Sequence, residues 1–341
     1  MQVDIEQPDA LLTYLRQSQR IAQDEQPSMR TLAGGVSNRT VLVERPNGEA
    51  WVLKQALSKL RVAVDWFSSP ERIHREALGL RWLMQIAPPG TITPFIFEDH
   101  AQHILAMQAV PLPHENWKSV LLRGEVDHEH VAQFAQLLAS IHQAARANPE
   151  LADIFNDRSF FESLRLEPYY SYTATEVPAA QDFYTALIAE TRTQRVSLVH
   201  GDYSPKNVLV YQDRLVLLDH EVIHFGDPAF DVGFSMTHLL SKAHHIPEQR
   251  AAFASAAQHY WQVYTEAWRE LNWQNSLEAR AINHTLGCLL ARVAGRSPLE
   301  YLDAAERARQ RGVVLALIDH LPQTMPELIE TFVEHIEASQ G

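Results

Sequence analysis

The run His200-Gly201-Asp202-Tyr203-Ser204-Pro205-Lys206-Asn207, continued by Val208-Leu209-Val210 and, twelve residues past Asn207, by Asp219, decides how this chain is read. Each piece alone is ordinary. A His-Gly-Asp triplet often marks a turn, and a lone Asp or Asn is commonly a cap or a solvated group. Their combination is not ordinary. Val208–Tyr211 and Leu215–Leu218 read as two short strands joined by Gln212-Asp213-Arg214, with Asp202 and Asn207 before them and Asp219 behind.

Towards the amino terminus the pattern is that of strands and sharp turns. Ala10–Ile21 predicts a helix, and Thr40–Glu44 and Ala50–Gln55 predict strands separated by Pro46-Asn47-Gly48. Asn-Gly suits a tight hairpin because both residues tolerate positive φ. Upstream, Gly34-Gly35 can bend the backbone closely around a ligand, while Ser37 and Asn38 supply polar groups. Pro70–Ile86 predicts a helix with Leu78 and Trp82 on one face, and Phe95–Glu98 and His103–Met107 a further strand pair.

After Met107 the composition turns helical. Helices are predicted over His128–Ala147, Ala179–Gln194, Pro247–Leu271, Ser276–Ala294, Leu299–Leu321 and Pro326–Ala338. The fold class expected is α+β and bilobal, with a small β-rich N-terminal lobe (residues 1–108) and a larger helical C-terminal lobe (109–341). The connection falls near Gln108–Pro113, and the cleft between lobes is a natural nucleotide site.

Composition narrows the function classes. With 341 residues the chain can bury two cores. The 29 basic residues against 42 acidic ones, net −13, argue against nucleic-acid binding. No stretch reaches the roughly 20 apolar residues of a membrane span. Cys288 is the only cysteine, which excludes an intrachain disulfide and fits a reducing, cytoplasmic setting. It stands among Leu286, Leu289 and Leu290 and reads as a buried small hydrophobe.

The His200–Asp219 segment resembles the catalytic and metal-binding region of the aminoglycoside phosphotransferase-like kinases, a group akin to choline and methylthioribose kinases. The resemblance spans most of residues 30–235 and implies a protein-kinase-like fold that uses ATP and Mg²⁺. It assigns Asp202 to the acceptor hydroxyl, which it orients and whose proton it receives. Asn207 and Asp219 become oxygen ligands for Mg²⁺ bridging the phosphates. His200 becomes a brace for the loop, and Asp231, in the Gly226-Asp227-Pro228…Asp231 pattern, a second one. Asp227 is expected to cap the helix starting near Pro228.

Lys54, in Trp51-Val52-Leu53-Lys54, would neutralise the α/β-phosphates, with Glu76, 22 residues later, as its partner. Gly34, Gly35, Ser37 and Asn38 resemble a short polar phosphate loop, although the segment is neither G-x-G-x-x-G nor a P-loop. Adenine is expected to find backbone hydrogen bonds near Met107–Ala109. One departure is His220, which stands where the family often has an aromatic residue and can join a polar network instead.

Two alternatives stay open, a protein kinase and an inactive nucleotide-binding or scaffold protein. The first lacks its D-F-G and A-P-E signals here. Against the second stand Lys54, Asp202, Asn207 and Asp219, which folding alone does not require. The partner expected is a small-molecule hydroxyl substrate: an aminoglycoside, aminoalcohol or sugar. Glu266, Glu270, Asn272, Trp273, Arg292 and Arg296 lie where the acceptor pocket is expected. Acids there suit an amine, and arginines a carboxylated or phosphorylated metabolite. Trp261, Trp268 and Trp273 read as core before they read as an aromatic wall. Oligomeric state has no signal.

Overall fold

The computed structural model describes residues 3–32, 37–61, 66–268 and 274–339. Gly34, Gly35, Glu270, Asn272 and Trp273 lie outside them. The small lobe grows from the Asn47-Gly48 turn. Strands β1 (Ser28–Thr31), β2 (Asn38–Glu44), β3 (Ala50–Ala56), β4 (Phe95–Asp99) and β5 (Ile104–Gln108) form one antiparallel sheet in the order β1-β2-β3-β5-β4. Gly48 takes φ +90° at the β2–β3 turn, and the Glu49 amide donates to Asn47 Oδ1 at 3.0 Å. That turn fixes the register, with Glu44 opposite Ala50 and Thr40 opposite Lys54.

Alternation along β3 sorts its side chains between two faces. Trp51 and Leu53 enter an outer core with Val41, Val43, Phe97 and Ile104, closed by Leu11 and Leu15 of helix α1 (Pro8–Gln17). Val52 and Lys54 face the other way and line the interlobe cleft. The helix expected over Ala10–Ile21 thus starts earlier, with Pro8 in its first turn, and stops before Gln19, which takes φ +56°.

Helix α2 (Arg72–Ile86) joins the two halves. Its Ile73, Ala77, Leu80 and Leu83 belong to the same core cluster as the buried residues of the large lobe. At Gly79 the helix meets the loop that follows Asp219, and a Cβ there would stand 2.8 Å from Ile223 Cγ2 and 3.2 Å from His220 Cβ. Glycine is what permits this approach.

In the large lobe, β6 (Glu115–Asn116), β8 (Val208–Tyr211) and β9 (Arg214–Leu217) form one sheet, and β7 (Ser197–Val199) pairs with β10 (His224–Gly226). Helices α3 (Trp117–Leu122), α4 (His128–Ala147), α5 (Gln181–Thr193), α6 (Ala229–His245), α7 (Arg250–Glu266), α8 (Gln274–Ala294), α9 (Ala304–Asp319) and α10 (Met325–Ala338) surround them. The α9 helix starts at Ala304 rather than Leu299 because Asp303 and Glu306 form a reciprocal capping box. A π-helical stretch, Glu162–Ser171, has no counterpart in the sequence reading. Trp261, Trp268 and Cys288 are buried in the core. No helix among the described residues is long and apolar enough to cross a membrane.

Candidate active site

Lys54 sits at the centre of an ion-paired cluster. Its Nζ is 2.6 Å from Glu76 Oε1 on α2 and 2.8 Å from Asp219 Oδ1 behind β9. The Lys54 and Glu76 side chains are 13% and 0% exposed, so the charges are largely removed from water. Burial opposes the Lys54 charge, but the two carboxylates outweigh it and raise its pKa. The carboxylates share one cation unequally. Burial is the largest influence on Glu76 and raises it to about 7 against the pull of Lys54, whereas at Asp219 the lysine prevails over burial and holds the acid below the ordinary carboxylate range. Asp219 also holds φ +68°, a left-handed conformation that non-glycine residues seldom adopt and that concentrates at functional sites.

The loop ahead of β8 is built around Asp202. Asn207 Nδ2 donates to Asp202 Oδ2 at 2.7 Å and to its carbonyl at 3.0 Å. The Leu218 amide donates to the Asn207 carbonyl at 2.9 Å, tying the loop to the residue before Asp219. Gly201, at φ +76° and with Val222 Cγ1 2.9 Å from where a Cβ would stand, is a position only glycine fills without displacing its neighbour. Asp231 lies beneath, fully buried, and accepts from the His200 amide (2.6 Å) and the Gly201 amide (2.8 Å). Burial raises its pKa, but hydrogen bonds and charge from His142, together with these amides, bring it below the usual carboxylate value.

The Asp202 amide donates to His200 Nδ1 at 3.2 Å, so the His200 proton resides on Nε2, which faces His220 Nδ1 at 3.1 Å. Burial lowers both imidazole pKa values and keeps the pair neutral. His220 therefore occupies the position expected of an aromatic residue as part of a buried polar pair. Asp227 accepts from the Ala229 amide (3.1 Å) at the start of α6 and pairs with Arg280 (2.8 Å).

Three neighbours of this cluster escaped the sequence reading. Arg165, from the π-helical stretch, is 3.0 Å from Asp202 Oδ2 and donates to the Gly201 carbonyl at 2.6 Å, and no sequence motif marks it. Arg72, fully buried, donates to Glu221 Oε2 (3.1 Å), the Leu57 carbonyl (2.9 Å) and the Ser37 carbonyl. Glu221 in turn accepts from Asn38 Nδ2 at 3.2 Å. The acid-x-acid spacing of Asp219 and Glu221 was the available signal for Glu221.

Carboxylate oxygens of Glu76, Asp219 and Glu221 lie within 4.8 Å of one another, and Glu76 Oε2 is buried without a hydrogen-bond partner. Glu76 is engaged by Lys54, while Asp219 and Glu221, with Asn207, bring hard oxygen donors to the cleft wall that fit a divalent cation.

Ser37, Asn38, Lys54, Met107, Ala109, Asp202, Asn207 and Asp219 all line one interlobe cleft of about 1280 Å³. Glu76 is reached through Lys54, and His200 and Asp231 stand behind the wall. Near the expected adenine position, the Ala109 amide donates to the Ala50 carbonyl at 2.8 Å.

Comparison with known proteins agrees with this architecture. A methylthioribose kinase of Yersinia enterocolitica is 26% identical over 220 residues, covering 55% of this chain and 53% of the relative. One from Pectobacterium atrosepticum is 24% identical over 237 residues, covering 60% and 58%. The chain thus spans little more than half the length of these curated relatives. Among solved structures, the amicoumacin kinase hAmiN in complex with AMP-PNP, Ca²⁺ and Ami superposes with TM-score 0.57 at 13% identity, covering 89% of this chain and 91% of that one. The ADP-bound aminoglycoside phosphotransferase APH(2'')-Ib gives 0.51 at 14%, covering 96% and 99%. These likenesses establish the protein-kinase-like bilobal fold. The model of the phosphotransferase enzyme family (APH) matches residues 28–273, well over half the sequence, and the chain belongs to that family.

Proposed function

We propose that this protein transfers the γ-phosphoryl group of ATP to a hydroxyl of a small molecule. The observation that carries the reading is the convergence of Lys54, Glu76 and Asp219 with the Asp202–Asn207 loop on a single cleft. Residues 1–108 act as the nucleotide lobe and 109–341 as the catalytic and acceptor lobe. Ser37 and Asn38 approach the phosphates. Met107 and Ala109 border the adenine.

Lys54 meets the α/β-phosphates, and Glu76 keeps it from collapsing onto the catalytic loop. Asn207, Asp219 and Glu221 would hold Mg²⁺, which when bound offsets charge on the phosphate oxygens. Asp202, held by Asn207 and Arg165, aligns the acceptor hydroxyl with the γ-phosphorus. As the new O–P bond forms, the bond from phosphorus to the β-bridging oxygen breaks. The hydroxyl proton passes to Asp202 and ADP departs. His200 and Asp231 fix the loop, so the reacting groups are ordered before substrate arrives.

The relatives named as methylthioribose kinases support a sugar-like acceptor, with aminoglycosides and aminoalcohols as the other classes to try. Incubation of the protein with ATP, Mg²⁺ and separate pools of these compounds should yield one product heavier by a single phosphoryl group. ATP turnover without any phosphorylated product would remove the assignment.

A further inference from the structure

We infer that the acceptor carries an anionic oxygen group, a carboxylate or phosphate, which Arg292 receives at the deep end of the cleft. This rests on the kinase reading above and concerns which substrate class that site takes. Arg292, on α8, lines the cleft and is only 9% exposed. Its Nη1 donates to Tyr169 OH (3.1 Å), to Ser297 Oγ (3.0 Å) and to the Ser297 carbonyl, all neutral oxygens. Its Nε is buried with no partner at all. A buried guanidinium satisfied by neutral acceptors, with one donor left over, is costly unless an anion completes it.

The surroundings reinforce the point. Lys242, fully buried one turn along α6 from the cleft-lining His238, has its one described hydrogen bond to the His238 carbonyl (3.1 Å). Burial, with Lys118 beside it, pushes Lys242 down to about 7. His238 is held neutral by burial and by the fields of Lys242, Arg292, Lys118 and Lys206. Lys118 also lines the cleft, and its charge is met by Glu300. Neither Arg292 nor Lys242 makes an ion pair among the described residues, although the field of Glu300 reaches both. A polycationic acceptor would meet at this end a guanidinium held only by neutral oxygens.

Geometry links the anion position to the chemistry. The Tyr169 ring has the guanidinium carbon of Arg165 at 5.6 Å and that of Arg292 also at 5.6 Å. Arg165 is the partner of Asp202. An acceptor with its hydroxyl at Asp202 and its anion at Arg292 therefore lies across Tyr169.

Matched pairs test this: ribose 5-phosphate against ribose, gluconate against glucose, and kanamycin as a polycation. Binding is measured by calorimetry on the protein loaded with AMP-PNP and Mg²⁺, and transfer with ATP, so a probe that binds without turnover still counts. At least one anionic member should bind about tenfold or more tightly than its neutral partner, and whichever pair shows the preference identifies phosphate or carboxylate. Arg292→Met should abolish the preference while AMP-PNP binding stays unchanged, and Arg292→Lys should retain part of it. Should Arg292→Met not fold, Lys118→Met is to weaken the same preference several-fold. Equal or tighter binding of neutral sugars or kanamycin, or a preference that survives these substitutions, overturns the inference and leaves the kinase reading standing. Failure to bind AMP-PNP overturns both.

Discussion

Asp231 holds the His200–Asp202 turn from behind the cleft wall. Its two oxygens collect the His200 and Gly201 amides, and His142 Nε2 approaches at 3.4 Å. An asparagine offers one acceptor where the carboxylate offers two and carries no charge. Asp231→Asn should cost about 2–3 kcal/mol in urea unfolding and lower kcat without a matching rise in KM for ATP. An unaltered unfolding midpoint would show the loop to be held by other contacts. At this scale the sequence was informative wherever a side chain belonged to a spaced pattern. Asp202, Asn207, Asp219, Lys54 and Glu76 were all readable. Arg165 and Arg72 were not, and Arg292 was one acceptor-pocket candidate among several, because the direction in which each element presents them is determined only by the packed structure.

Helix α2 is the element on which the small lobe's geometry depends. It carries Glu76 to Lys54, and His74, two residues earlier, bonds Glu98 of β4 through Nδ1 at 2.8 Å. Gly79 lets the same helix rest against Ile223 and His220. Gly79→Val should push α2 off this seat, with a stability loss of about 1–3 kcal/mol and a raised KM for ATP as Glu76 retreats from Lys54. Unchanged affinity for ATP in a destabilised variant would separate the helix seat from the phosphate site. Most elements were legible: α4 lies where its periodicity put it, and the β2–β3 hairpin follows from Asn47-Gly48. The π-helical Glu162–Ser171 was not, since Pro168 within it argues against a helix while tertiary packing of Leu164, Tyr169 and Tyr170 imposes one.

Over the whole molecule, buried imidazoles make the fold sensitive to mild acid. Burial lowers the pKa of His224 to about 4, and it also lowers His238 and His244. The unfolded chain binds protons at these sites below about pH 6.5 while the folded one resists, so stability declines as pH falls through that window. His224 alone accounts for about 3 kcal/mol by about pH 4. Asp219, Asp227 and Asp231, with depressed values, add stability that is full above the ordinary carboxylate range and is lost as pH falls through their lowered values. Glu76, raised to about 7, acts in the opposite sense over this interval, but it is one group against several buried histidines. Melting temperature should therefore fall between pH 7 and pH 4.5, and a flat profile there would contradict neutral burial of the histidines. The bilobal architecture was legible from the order of strands and helices; the placement of Arg292 on the cleft wall was not, because a net charge of −13 says nothing about where individual cations lie. The most direct test of phosphoryl transfer in this cleft is the acceptor-dependent rate of ADP formation by Asp202→Asn beside the unaltered protein. The rate should fall about 100- to 10,000-fold with ATP affinity and melting temperature preserved, and equal rates would contradict the account.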